Sequence, residues 1–146
     1  MKPRAAWPLL AKKAKEKCDL IQVEVVKARE RIKHLENSKQ RMVLLYDDYV
    51  QRSKEAERKP HSMAETLNFR SFMLQLQELI KRVDLDLTDA NNQLAMIKRR
   101  LLAAEKKRIQ METLHEQDLK KVNDYHRKKE QSQMDAAGLT LFNLKA

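Results

Sequence analysis

Glycine and proline are nearly missing from this chain. It has one Gly and three Pro in 146 residues. Between Pro8 and Gly138, only Pro60 is a strong helix breaker. In a helix interior Gly costs about 1 kcal/mol and Pro about 3, so helix is the easy conformation nearly everywhere. The lone break predicts two long helices joined by a short turn. Cysteine is scarce too. Cys18 stands alone, which excludes an intramolecular disulfide and a cysteine-rich zinc site. Aromatics make up 5% of the residues and charged residues 36%, a balance that suits long helices better than a compact globule. No apolar run approaches the 18 or more residues of a transmembrane helix. The apolar residues 5–11 contain Pro8 and stop at Lys12, too short and interrupted for a signal peptide. A reducing cytoplasm is the expected compartment.

What is present is a seam. Ala11, Ala14, Cys18, Ile21, Val25, Ala28, Ile32, Leu35, Lys39, Met42, Tyr46, Tyr49, Ser53 and Ala56 follow one another at steps of three and four. That spacing marks a coiled-coil face. Lys39 is its charged member, able to lay its stem along the seam with the ammonium in water. Near Pro60, Ser62 and Glu65 have the spacing of a capping box that opens a second helix. That helix carries Phe69, Phe72, Leu76, Leu79, Val83, Leu87, Ala90, Leu94, Ile97, Leu101, Ala104, Arg108 and Met111. Two steps of four at Leu79, Val83 and Leu87 read as a stutter. Beyond Met111 the face passes through His115, Asp118, Val122 and Tyr125, and its apolar character fades.

The expected fold is all-α. It is a single helical-hairpin domain over 1–146, an antiparallel coiled coil with helix 1 at about 8–57, a turn at 58–61 and helix 2 at about 62–137. Folding the chain back at the turn places Leu9 opposite about residue 111, so residues 112 to about 135 are expected to overhang as a lone helix. Gly138 is expected to end it, leaving a short apolar tail over 138–146. The outer faces read as free of an apolar stripe, which argues against a self-associating scaffold.

Charge is unevenly placed on a net +10. Residues 1–41 sum to +7, 42–97 to −2, 98–129 to +6 and 130–146 to −1. A fold-back brings the two basic blocks together at one end of the hairpin, so its two ends should meet different partners. Lys12, Lys13, Lys106, Lys107, Arg108, Arg127 and Lys128 are the candidate basic contacts. Most such runs are solvated helix faces. Here the sharper options are an acidic protein surface or a phosphate backbone. Nucleic-acid binding would rest on charge alone, because no RNA- or DNA-binding motif accompanies it.

Tyr46, Tyr49, Phe69 and Phe72 are brought together near the turn by the same fold-back. They can cap the coiled coil, and they can anchor a partner. His34, His61, His115 and His126 lack the spacing of a helical metal site. No phosphate loop or catalytic motif is present. The chain reads as a non-enzyme with no cofactor and no metal.

The stretch Asn68, Phe69, Arg70, Ser71, Phe72, Met73, Leu74, Gln75, Leu76, Gln77, Glu78, Leu79, Ile80 resembles the opening of the second helix in the flagellar export protein FliJ family. The Tyr pair late in helix 1 is a second point of similarity. In architecture the resemblance spans nearly the whole chain, and in detail about 35 residues around the turn. It implies a stalk of the flagellar type III export apparatus whose terminal end enters a hexameric export ATPase. The tip would meet the cytoplasmic part of the export-gate membrane protein through Tyr46, Tyr49, Phe69, Phe72 and Leu76. The basic residues named above would face the ATPase. Export chaperones are further implied partners. The implied location is cytoplasmic, at the inner face of the membrane through partners. The family's first tip Tyr is displaced by one residue, with Leu45 in its place, and Leu79 and Val83 stand for a small and a polar residue. The related stalks of virulence type III secretion, the YscO group, are the nearest alternative. A basic nucleic-acid-binding hairpin is the alternative from another class.

Overall fold

The computed structural model describes residues 1–59 and 63–145. Two helices account for nearly all of it: α1 over Ala6–Glu57 and α2 over Met63–Lys145. They pack against each other as a helical hairpin, with no strand among the described residues. Pro8 falls in the first turn of α1, where an absent amide hydrogen removes no helical bond. At the far end, Arg58 N–H donates to the Glu55 carbonyl and Lys59 N–H to the Ala56 carbonyl, tightening the last turn. The Ser62 half of the expected capping box, with Pro60 and His61, lies outside the described residues.

The chain forms two compact units, Met1–Ile21 with Arg100–Ala146, and Gln22–Arg99. Each takes a stretch from both helices. In the Gln22–Arg99 unit the core side chains are Val25, Leu76, Val83 and Ala90. The antiparallel register there is visible in three cross-helix pairs. Arg31 Nη1 donates to Gln93 Oε1 at 3.0 Å, Lys39 Nζ lies 2.7 Å from Asp84 Oδ1, and Gln77 Nε2 donates to Tyr46 Oη at 2.9 Å. Lys39 thus keeps its stem on the seam and its charge at the edge, matched by a carboxylate on the other helix. In the unit containing both termini the core is small: Ala14, Cys18, Ile21, Ala104 and Val122.

All 14 expected seam positions of α1 are buried or half-buried. In α2 one is not. Leu79 is 46% exposed, and Ile80 takes its place. The seam runs Phe72, Leu76, Ile80, Val83, so the paired steps of four fall at Phe72–Leu76–Ile80, earlier than expected. Adjacent apolar residues both satisfy the local pattern, and the helix selects the one whose rotation fits its neighbours.

Three other expectations are corrected. α2 does not stop before Gly138 but continues through it to Lys145. Gly138 has no positive φ, so it is not acting as a left-handed cap. The lone stretch of α2 begins after about residue 126, not at 112. Residues 1–7 lie along α2: the Arg4 amide donates to Asp118 Oδ2 at 2.8 Å, and His126 Nε2 donates to the Met1 carbonyl at 3.0 Å. Finally, the outer face of α2 is not free of apolar side chains. Met63, Leu67, Leu74, Leu85 and Met96 are 80, 57, 62, 68 and 62% exposed.

Candidate functional site

The aromatic site is built by about two turns of α2, from Glu65 to Phe72, facing the late part of α1. Phe69 and Phe72 are one turn apart on the seam face, and Tyr49 enters between them from α1. The Tyr49 and Phe72 ring centroids are 4.4 Å apart at 40°, and those of Tyr49 and Phe69 6.0 Å apart at 62°. Such tilted and edge contacts let the positive ring edge meet the negative face, worth about 0.5–1.5 kcal/mol beyond area burial. The Arg52 guanidinium lies 5.6 Å from the Tyr49 centroid, over its ring, and bridges to Asp48 at 3.2 Å.

None of the three rings is fully buried. Beside them opens a groove of about 560 Å³ lined by Tyr49, Ala56, Glu65, Asn68, Phe69 and Phe72. A two-helix seam closes a ring on two sides at most, so the third side stays open.

Tyr46 and Leu76 do not line that groove. Tyr46 lines a smaller cleft with Arg70, Met73, Leu74 and Gln77, with its hydroxyl bonded to Gln77. Leu76 is 5% exposed. It supports the rings from inside the seam and offers little surface of its own.

The seven basic residues all belong to the unit of the two termini. The register set by Arg4 and Asp118 puts Lys12 and Lys13 opposite about residues 109–110, roughly one turn along α2 from Lys106 and Lys107. Arg127 and Lys128 follow about 20 residues further along α2, or about 30 Å at 1.5 Å per residue. Among the described residues, no ion pair holds Lys12, Lys13, Lys106, Lys107 or Lys128. Arg127 is bound to Asp124 at 2.8 Å. Arg108 differs from the rest. It is half-buried at a seam position, and its Nη1 donates to both Glu112 oxygens at 3.2 Å. Those hydrogen bonds, then the Glu112 charge, raise its pKa above the ordinary value. Its charge is therefore already matched, and it contributes less free positive field than its neighbours.

A feature the seam pattern did not reveal is a cleft of about 230 Å³ lined by Met1, Lys2, Arg4, Trp7, Leu114, Gln117, Asp118 and Lys121. Its cause is the non-helical start of the chain, which has no period to read. The only signal in the sequence was Trp7, a large apolar side chain ahead of the helical seam. Among the described residues, no group of three or more His, Cys, Asp or Glu is placed to hold a metal. Among the same residues, no helix is long and apolar enough to cross a membrane.

Two long antiparallel helices, with open aromatic and basic surfaces on different compact units, define a helical-hairpin protein of the kind that works by contact. The model of the flagellar FliJ protein family matches residues 9–146, and the chain belongs to that family. A role in flagellar protein export comes with that membership. No curated protein and no solved structure matches the chain.

Proposed function

We propose that the protein is a non-enzymatic stalk that couples the hexameric export ATPase to the export gate. In this reading the unit carrying both termini enters the ATPase ring. Lys12, Lys13, Lys106, Lys107, Arg127 and Lys128 face acidic groups there and promote ring assembly. Tyr49, Phe69 and Phe72 offer their open groove to the cytoplasmic part of the gate protein, with Tyr46 beside them and Leu76 holding the rings in place. Export chaperones are further partners of the same stalk. It would work in the cytoplasm, at the inner face of the membrane through these contacts. The observation that carries the reading is the segregation of unpaired ammonium groups and open rings into different compact units. A flagellar system is favoured over a virulence one by the family match.

The experiment is a double dissociation. Changing Lys12, Lys13, Lys106, Lys107 and Lys128 to Glu should cut stimulation of the cognate ATPase at least tenfold while gate binding is kept. High salt should partly mimic it, because exposed charges are screened beyond about 8 Å at physiological ionic strength. Tyr49→Ala with Phe72→Ala should weaken gate binding at least tenfold and leave ATPase stimulation intact, with helicity checked in both. If each set of changes reduced both activities equally, the division of labour would be wrong.

A further inference from the structure

Five of the exposed apolar residues of α2 form a line away from the aromatic groove, and of these only Leu74 also lines the Tyr46 cleft. Met63, Leu74, Leu85 and Met96 are spaced eleven residues apart. Eleven residues make about three turns, so the four stand above one another. At 100° per residue, these four and Leu67 fall within about 60° of arc, diametrically opposite Phe72, Leu76, Val83 and Ala90 on the seam. All five are more than half exposed. Single exposed apolar residues need no explanation, but an aligned row on the side of a helix facing away from its partner does.

The charges interspersed in this row say what it fits. We propose that it binds the same row of a second copy of this chain, antiparallel, about a two-fold axis between Leu79 and Ile80. In that register Leu74 meets Leu85, Met63 meets Met96, and Leu67 meets Asn92. Glu78 falls opposite Lys81 of the second copy, and Arg70 opposite Asp89. By symmetry each pairing occurs twice, as an isologous interface requires. Within one chain Lys81 and Glu78 already lie 3.6 Å apart, with 74 and 76% of their side chains exposed. Dimerisation would convert two such pairs into a four-charge ring. A parallel pairing would set Arg70, Glu78 and Lys81 each against its own kind, which is repulsive. Sliding the antiparallel pair by eleven residues keeps some apolar contacts but sets Lys81 against Leu67, or Arg70 against Arg100.

The contact spans 34 residues, or about 50 Å. A strip of that length and about 10 Å wide covers about 1,000 Å² in total, at the lower limit for a specific interface. The dimer is therefore weak and reversible. It also leaves the aromatic groove uncovered, because that groove lies on the opposite side of α2.

Two measurements on the full chain test this. In a Cys18→Ala background, Leu74→Cys and Leu85→Cys proteins are oxidised separately and mixed. The mixture should form a disulfide-linked dimer and each protein alone should not, since identical positions sit about 16 Å out of register. Cross-linking of Leu74→Cys with itself would overturn the register, and no cross-linking in the mixture would overturn the dimer. In sedimentation equilibrium up to several hundred micromolar, the unmodified chain should show a monomer–dimer equilibrium. Glu78→Lys or Lys81→Glu alone should weaken it at least tenfold, and the two together should restore it to within about threefold. A chain that stays monomeric, or an equilibrium indifferent to these reversals, would sink the proposal. Both residues face solvent, so helicity and melting temperature should be unchanged in all three variants.

Discussion

The two compact units use the same pair of helices to opposite ends. The unit with both termini buries small side chains, Ala14, Cys18 and Ala104 beside Ile21 and Val122. Small residues let two helices approach closely, and the long ammonium side chains around them are left free. It carries 16 Lys/Arg and 9 Asp/Glu, a net +7. The Gln22–Arg99 unit carries 15 and 12, a net +3. It fills its seam with larger groups, and its aromatic side chains are too big for two helices to enclose. One unit is left with unspent charge and the other with unspent ring surface. A hairpin can thus obtain two different contact chemistries, one from ring volume at the seam and one from unpaired charge outside it.

Four changes test how independent the units are. The largest effect is expected from Leu76→Ala, which removes a 5%-exposed side chain and should cost about 2–5 kcal/mol. Amide exchange should accelerate in residues 22–57 and 63–99 and much less in 100–126. Equal acceleration throughout would show one cooperative body instead of two. Next comes Asp118→Ala, which deprives the Arg4 amide of its acceptor. By analogy with a lost helix cap it should cost about 1 kcal/mol. It should release residues 1–7 to fast exchange while the aromatic region is unaffected.

Gly138→Ala should act in the other direction. Nothing lies within 4 Å of the added methyl group, and the position is helical, so the end of α2 should gain about 0.5–1 kcal/mol. Circular dichroism of the full chain should show increased helicity and no loss of solubility. The smallest effect is expected from Asp84→Asn. Its partner Lys39 and Asp84 itself are 39 and 48% exposed, so the pair should be worth less than about 1 kcal/mol. The loss should shrink further at high salt. A larger, salt-insensitive loss would mean that Lys39 fixes the register of the seam.

How far these features were legible follows from what each depends on. The face of α1 was readable because period alone sets which residues share a side. Leu79 was misplaced because Leu79 and Ile80 are equally apolar, and only the packed neighbours separate them. Gly138 reads as a stop because glycine so often caps a helix, but capping requires a left-handed turn that nothing here imposes. The start of the overhang depended on residues 1–7, whose binding to α2 has no periodic signature. The grouping of Tyr49, Phe69 and Phe72 was legible from the fold-back. The withdrawal of Leu76 into the seam and of Arg108 onto Glu112 was not, since both depend on side-chain rotation within a seam already identified.

Cys18 gives this molecule a built-in clock. Its thiol is 3% exposed and is the chain's single cysteine, so a thiol reagent can modify it only when the helices part around Ala14 and Ala104. Where reclosure outruns modification, the labelling rate measures the population of that open form. An opening that costs about 3 kcal/mol would slow the reaction about 150-fold relative to a free thiol. Under the proposed contact with an ATPase ring, following that rate with and without the ring would test whether binding holds the hairpin closed or works it apart, with no residue substituted.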